Sequence, residues 1–136
     1  MKKLLSTSYT DLTFNISLFL LRVVPGLMIM VNHGYDKLVH FADKKNKFMD
    51  FLGLGSTTSL ALVIFAEFFC AFLVILGLFT RFSVLPLVIE MAVALFKANN
   101  GEIFNGGEDA ALFLTVFTAI LLVGPGKYSV DGIMGK

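Results

Sequence analysis

Four apolar stretches of membrane-spanning length constrain this sequence more than any other feature. They cover residues 12–33, 57–78, 82–99 and 108–124. A helix that crosses a bilayer needs about 20 mostly apolar residues. Hydrophobic residues make up 57% of the chain and charged residues only 15%, whereas soluble domains average about 25% charged residues. The sequence therefore predicts an all-α integral membrane protein with four spans, folded as a single domain over residues 1–136.

The connections between the spans predict how the helices are arranged. A very short turn at Thr80–Phe82 separates the second and third spans, so these helices must be antiparallel neighbours. Residues 34–55 place apolar side chains at near-helical spacing among lysines, which is typical of an amphipathic segment lying on a membrane surface. We therefore expect an antiparallel four-helix bundle with a short interfacial amphipathic segment between helices 1 and 2. The lysines and arginines divide five against five between the two sides, so they do not predict which side the termini face.

Charge and cysteine content argue against several classes of function. The formal net charge is +1 and no basic stripe is present, so a nucleic-acid partner is not expected. Cys70 is the one cysteine, which excludes a disulfide within the chain. His33 and His40 are too close along the chain to ligate opposite faces of a haem, so no metal site is expected. Nor does the chain carry a flavin or nicotinamide motif.

Ionisable residues inside the predicted spans are the candidates for a functional site, because charge within a bilayer is costly. Arg22 and His33 are eleven residues apart, about 1100° of helical turn, so they share one face of the first helix. Lys37 would extend that stripe at the membrane edge. Glu67 lies near the centre of the second span and Glu90 in the third. The simplest assembly pairs Arg22 with Glu67 or Glu90, either as a structural lock or as part of a polar pocket that binds a headgroup, a quinone or a proton.

Several short motifs, in the same order, resemble those of the DoxX family over about residues 15–132. The first span carries an arginine and ends in H-G-x-x-K-L. The second carries a central glutamate and ends in a glycine and a Thr-Arg turn. A glutamate begins the last helix, and G-P-G-x-Y-S-x-D follows it. The matching residues are Arg22, His33, Gly34, Lys37, Leu38, Glu67, Gly77, Thr80, Arg81, Glu108, Gly124, Pro125, Gly126, Ser129 and Asp131.

The resemblance implies a four-helix protein of the bacterial inner membrane. Some relatives belong to a thiosulfate:quinone oxidoreductase or to other membrane oxidoreductase assemblies. It therefore implies a redox partner protein, a quinone as ligand rather than a cofactor held within the chain, and a lipid bilayer as surroundings. A homo-oligomer is also compatible with it.

Three hypotheses follow. In the first, Arg22, His33, Glu67 and Lys37 line a pocket for a quinone or similar headgroup; Arg22 or Lys37 stabilises negative charge, while Glu67 or His33 relays protons. In the second, the protein is a non-enzymatic membrane scaffold in which the charges are interhelical locks and residues 36–52 dock a partner. In the third, an oligomer transports a proton-coupled solute.

Overall fold

The computed structural model describes residues 2–135, and every regular element within that range is helical, which confirms the all-α prediction. A short 3₁₀ helix at Lys2–Leu5 precedes the first long helix. The elements that follow are α1 (Asp11–Val39), α2 (Phe41–Lys44), α3 (Ser56–Leu76), α4 (Thr80–Val93), α5 (Glu108–Val123) and α6 (Val130–Ile133).

The first long helix extends further than the sequence predicts. Thr10 caps its start, where the side-chain oxygen accepts a hydrogen bond from the backbone N–H of Thr13 at 3.1 Å. The helix continues past the predicted end at residue 33 through a wider π-helical turn, Met30–Tyr35, and ends at Val39. Residues 34–39 therefore belong to α1 and not to a separate interfacial segment. The location of the remaining connector, residues 40–55, at a membrane surface stays a prediction.

At Gly34, α1 packs directly against the backbone of another helix. Gly34 in the π-helical turn lies against the backbone of α3, and a Cβ atom there would come within 2.6 Å of the Glu67 carbonyl oxygen. A larger residue would push the two helices apart. The contact holds the C-terminal part of α1 beside the middle of α3.

Two further π-helical turns interrupt the other helices. One, Phe65–Cys70, lies in the middle of α3, and the other, Ala94–Ala98, continues α4 beyond Val93. Turns of this kind are rare and are frequent at functional sites. Each of the three lies near an ionisable residue that the sequence singles out.

Two of the described helices, α1 and α3, are long and apolar enough to cross a membrane by length and composition. α5 is shorter, with 16 residues. α4 with its π-helical turn contains three charged residues, Arg81, Glu90 and Lys97.

Apolar side chains fill the interior and also cover much of the outside. Contacts between α1 and α3 and between α4 and α5 enclose the core, and large apolar side chains such as Phe82 are exposed on the outer surface. The charged side chains at mid-helix turn inward, since Arg22 is 1% exposed and Glu67 is 2% exposed. The buried core consists of Ile29, Ala66, Ala71, Val74, Val84, Leu87, Met91, Phe117 and Ile120.

Arg22 binds backbone carbonyl groups at the ends of other helices. Its Nη1 donates to the Pro125 carbonyl at 2.7 Å and its Nη2 to the Tyr128 carbonyl at 2.8 Å. The guanidinium also donates to the carbonyl of Ile75 at 3.4 Å. The predicted ion pair of Arg22 with Glu67 or Glu90 is therefore wrong, because the chain folds its C-terminal segment back over α1 and supplies carbonyl acceptors there.

Asp131 connects the same C-terminal segment to the turn between α3 and α4. Its carboxylate accepts hydrogen bonds from the backbone N–H groups of Phe79 and Thr80 and from the Thr80 hydroxyl, each at 2.9 Å. Its own N–H donates to the Gly77 carbonyl at 2.9 Å. Gly77 ends α3 with a φ of 71°, and a side chain there would collide with Ser129.

Replacement of Asp131 should destabilise the fold. Asp131→Asn can accept with its one carbonyl oxygen but turns an amide N–H₂ toward at least one of the three buried donors. We expect the free energy of unfolding to fall by about 1–3 kcal/mol. Thermal melting followed by circular dichroism in detergent measures the effect. Asp43→Asn, on the exposed side of α2, is the matched control, and equal melting temperatures for the two variants would contradict the role given to Asp131.

Candidate functional site

A cavity of about 330 Å³ lies at the end of the molecule opposite Arg22. Its volume falls at the lower end of the range for small-molecule sites. Polar side chains from all four long helices and the loop after α4 line one part of it, and apolar side chains line the rest. The polar residues are His33, Lys37, Glu67, Glu90, Asn99 and Asp109, and the apolar side chains are those of Ile29, Phe48, Met49, Val63, Met91, Val93, Ala94, Ala110 and Phe113.

Lys37 and Glu67 form an ion pair within this cavity. The Lys37 Nζ lies 2.8 Å from the Glu67 Oε2. The Glu67 side chain is 3% exposed and that of Lys37 is 17% exposed, so the pair is almost fully removed from solvent. The close approach at Gly34 and the two adjoining π-helical turns bring these side chains together. A buried pair of this kind is expensive to form and even more expensive to leave half-made.

Glu90 brings a second carboxyl group to the same cavity. Its Oε2 atom is buried and accepts or donates no hydrogen bond within the described part of the chain. Glu67 and Lys37 are near enough for their charges to act on it. A buried polar atom without a partner costs about 1–3 kcal/mol. Such an atom is frequently explained by a ligand or a catalytic role.

His33 and Asp109 lie on the side of the cavity between α1 and α5. The His33 ring meets the Phe113 ring edge-on, with centroids 6.2 Å apart. His33, Asp109 and Phe113 also line a neighbouring cavity of about 390 Å³ that includes Asn32. His33 and Asp109 therefore line both cavities.

The connector between α2 and α3 covers the cavity. Phe48 and Met49 reach over it from residues that the sequence predicts to lie on the membrane surface. A hydrogen bond attaches the connector to α3, because the Phe51 N–H donates to the Ser59 hydroxyl at 2.8 Å. The Lys97 Nζ also lies 5.3 Å from the centre of the Phe51 ring, a cation–π contact.

The structure separates the candidate residues into two groups. His33, Lys37, Glu67 and Glu90 line one cavity, whereas Arg22 lies near the opposite end of α3. The family-motif residues Gly77, Pro125 and Asp131 surround Arg22, and Gly124 and Gly126 belong to the same C-terminal turn. Arg81 donates to the carbonyls of Leu121 and Leu122 at 3.1 and 3.3 Å, tying α4 to α5. Glu108 is exposed at the start of α5.

Sequence reasoning missed four residues of the cavity. Asp109 follows the motif residue Glu108, and both residues are exposed at the start of α5, so no feature of the sequence marks the second one as part of the cavity wall. Asn99 is the last residue of the predicted third span and follows the π-helical turn that continues α4. Phe48 and Met49 gave no signal, because apolar residues in an amphipathic connector are equally typical of lipid contact.

The cavity combines a cation, two buried carboxyl groups and an imidazole with apolar walls. Lys37 can donate hydrogen bonds to a carbonyl or oxyanion, and Glu90 can accept a hydrogen bond or a proton. In the described part of the chain, no group of three or more His, Cys, Asp or Glu residues has the geometry to hold a metal ion.

Comparison with known proteins identifies relatives of this chain. A family model described as DoxX matches residues 17–100. A protein of Haemophilus influenzae, described as uncharacterized, is 32% identical over 120 residues, which cover 82% of this chain and 85% of that protein. No solved structure gives a significant match.

Removing one member of the buried pair should cost more than removing both. Lys37→Met leaves the Glu67 carboxylate without its cation, and we expect a loss of about 3–5 kcal/mol in the free energy of unfolding. The double variant Lys37→Met/Glu67→Leu should be clearly more stable than Lys37→Met alone. Chemical or thermal unfolding in detergent gives the comparison.

The control for this prediction is an exposed pair in the same region. The Lys44 Nζ lies 2.7 Å from Asp36 Oδ2, with both side chains more than 40% exposed. Lys44→Met should change stability little, because exposed ion pairs contribute little. If Lys37→Met behaved like Lys44→Met, the Lys37–Glu67 pair would not be the buried contact described above.

Proposed function

This chain belongs to the DoxX family, which together with its long apolar helices makes it a membrane protein, and we propose that it binds a quinone or quinol headgroup in the Lys37–Glu67–Glu90 cavity. In this proposal the protein is the membrane subunit of a redox complex. It holds the headgroup and exchanges protons with it, while a partner protein exchanges the electrons.

We also infer that the four long helices form an antiparallel bundle across the bilayer. Contacts between α1 and α3 support it, because Arg22 meets Ile75 while Gly34, further along α1, meets Glu67, earlier in α3. Contacts between α4 and α5 follow the same rule. Arg81 at the start of α4 meets Leu121 near the end of α5, and Gly107 just before α5 lies against Leu95.

This bundle predicts which loops share a side of the membrane. Single cysteines at Ser6 and Lys127, introduced into a Cys70→Ser background, should react with an impermeant maleimide from one side. Cysteines at Lys45 and Glu102 should react from the other side. Labelling of intact cells or spheroplasts against inside-out vesicles gives the readout, and reaction of all four positions from one side would contradict the four crossings.

The observation that carries the proposed ligand site is the unpartnered oxygen of Glu90. A helix bundle gains nothing in stability from a buried carboxyl oxygen that contacts no donor. A quinol hydroxyl placed in the cavity would satisfy it, and the Lys37 ammonium is available to a quinone carbonyl on the other side. The π-helical turns that aim Lys37 and Glu67 into this space further support a functional role.

The proposed chemistry asks little of this chain beyond binding and proton exchange. A quinone carbonyl that accepts a hydrogen bond from Lys37 is polarised toward the charge that develops on reduction. Glu67, the carboxylate that pairs with Lys37, is the proposed proton acceptor when a quinol is oxidised, and His33 and Asp109 lie on the polar side of the cavity where protons can leave.

A scaffold is the second candidate, and the Arg22–Asp131 network favours it. That network uses intramembrane charge purely to join helix ends. If the Lys37–Glu67 pair did the same, the connector would be the docking surface for a partner protein. Ligand binding separates the two proposals, since a scaffold needs none.

Glu90→Leu tests the headgroup site. The substitution removes the unpartnered oxygen, so we expect the melting temperature to rise, while the Kd for a ubiquinone with one isoprenoid unit should increase about tenfold with the loss of one hydrogen bond to the headgroup. Binding to protein in lipid nanodiscs and thermal melting give the two readouts. Opposite changes in stability and affinity are typical of a functional site.

Glu102→Leu is the control, because Glu102 is exposed in the loop after α4. It should change neither quantity. Unchanged affinity in Glu90→Leu would overturn the headgroup site, and absence of binding in the parent protein together with recovery of a stable protein complex would favour the scaffold.

A further inference from the structure

We propose that an apolar cleft between α3 and α4 binds the isoprenoid tail of the same ligand and admits it from the bilayer. This inference rests on the proposed headgroup site. It specifies the ligand class further, as a molecule with a polar ring and a branched hydrocarbon tail that enters sideways between two helices.

The cleft has a volume of about 320 Å³ and almost wholly apolar walls. Leu62, Phe65 and Ala66 line it from α3, and Pro86 and Ile89 from α4. The connector closes it from above through Phe48, Met49 and Phe51. Its two polar residues are Ser59, whose hydroxyl oxygen already accepts the Phe51 N–H, and Glu90.

The cleft and the polar cavity adjoin each other. Phe48, Met49, Val63, Glu90 and Val93 line both. Glu90 therefore lies at the junction between a polar space and an apolar space, which together have the polarity pattern of an amphiphile. A headgroup bound at Glu90 would direct its tail into the cleft.

The outer rim of the cleft is open toward the surroundings of the bundle. Leu62 is 48% exposed, and Phe65 and Ile89 are each 53% exposed. In a membrane these side chains contact hydrocarbon, so a tail can pass between the cleft and the bilayer without crossing water. Because the tail leaves hydrocarbon and not water, its affinity comes from van der Waals packing against the cleft walls, and the fit of the tail supplies selectivity.

The position of the polar end of the cleft, inside the bundle at Glu90, favours a quinone tail over other occupants. A helix of a partner protein would leave the Glu90 end unfilled, because it is too wide to enter the cavity beyond. A phospholipid acyl chain would bring its phosphate to the membrane surface, whereas the polar end of this cleft lies inside the bundle beside a carboxyl group. A planar ring on a narrow branched chain matches both spaces.

A bulky side chain in the cleft tests the inference. Ile89→Trp should weaken binding of a ubiquinone with an isoprenoid tail about tenfold and leave binding of the tailless ring analogue unchanged. Leu62→Trp, on the opposite wall, should do the same and replaces Ile89→Trp if that variant misfolds. Leu85→Trp, exposed on α4 outside the cleft, is the control and should bind both analogues like the parent.

The two binding spaces fail separately in this experiment. Tail-dependent affinity that persists in Ile89→Trp and Leu62→Trp overturns the tail site, as does an equal loss for both analogues. Mass spectrometry that finds a phospholipid in the parent protein but not in the cleft variants overturns the quinone tail as occupant. Unchanged binding of the tailless analogue to Glu90→Leu instead overturns the headgroup site, whatever the cleft variants do.

Discussion

Buried charge in this protein must be satisfied from within, and the Arg22 guanidinium shows how. It donates to three carbonyl groups that lie at the end of α3 and in the segment after α5. Helix ends carry carbonyls without intrahelical partners, and a cation there satisfies both groups at once. Because the acceptors come from distant parts of the chain, one side chain holds three elements in a fixed arrangement, and Asp131 completes the joint at the turn before α4.

The two ends of the molecule use ionisable groups in opposite ways. Around Arg22, donors and acceptors match, and Gly77 leaves the room in which Ser129 packs against the end of α3. Around Glu67 a matched pair lies beside a carboxyl oxygen that has no partner, within a space large enough for a small molecule. The fully hydrogen-bonded end around Arg22 provides the rigid frame on which a preorganised site depends. At the end around Glu67, the proposed ligand would complete the hydrogen bonding.

The all-helical fold could be predicted from the sequence, because apolar runs of this length favour helices that satisfy their own backbone hydrogen bonds. The helical spacing also correctly placed the inward face of the first helix near Lys37. Helical spacing could not predict how deeply each side chain is buried or which group it contacts. Arg22 finds backbone carbonyls, which every residue carries and no motif marks, and it finds them because the C-terminal segment folds back. The length of α1 was underestimated because a π-helical turn continues the helix through Gly34, a residue that usually signals an end.

The π-helical turns let these helices absorb a change in chain length that an ordinary helix would transmit to every residue after it. A turn closed by an i→i+5 hydrogen bond holds one residue more than an α-helical turn, so it works as a stored insertion. Deleting one residue from Met30–Tyr35 would let this turn relax to regular α-helix while the residues after it keep their direction, whereas the same deletion in a regular helix would rotate them by about 100°. Lys37 would then still face Glu67, and the side chains within the turn, His33 among them, would change position. Gain or loss of a single residue at this point thus offers natural variation a route to reshape one wall of the cavity while the rest of the protein is preserved.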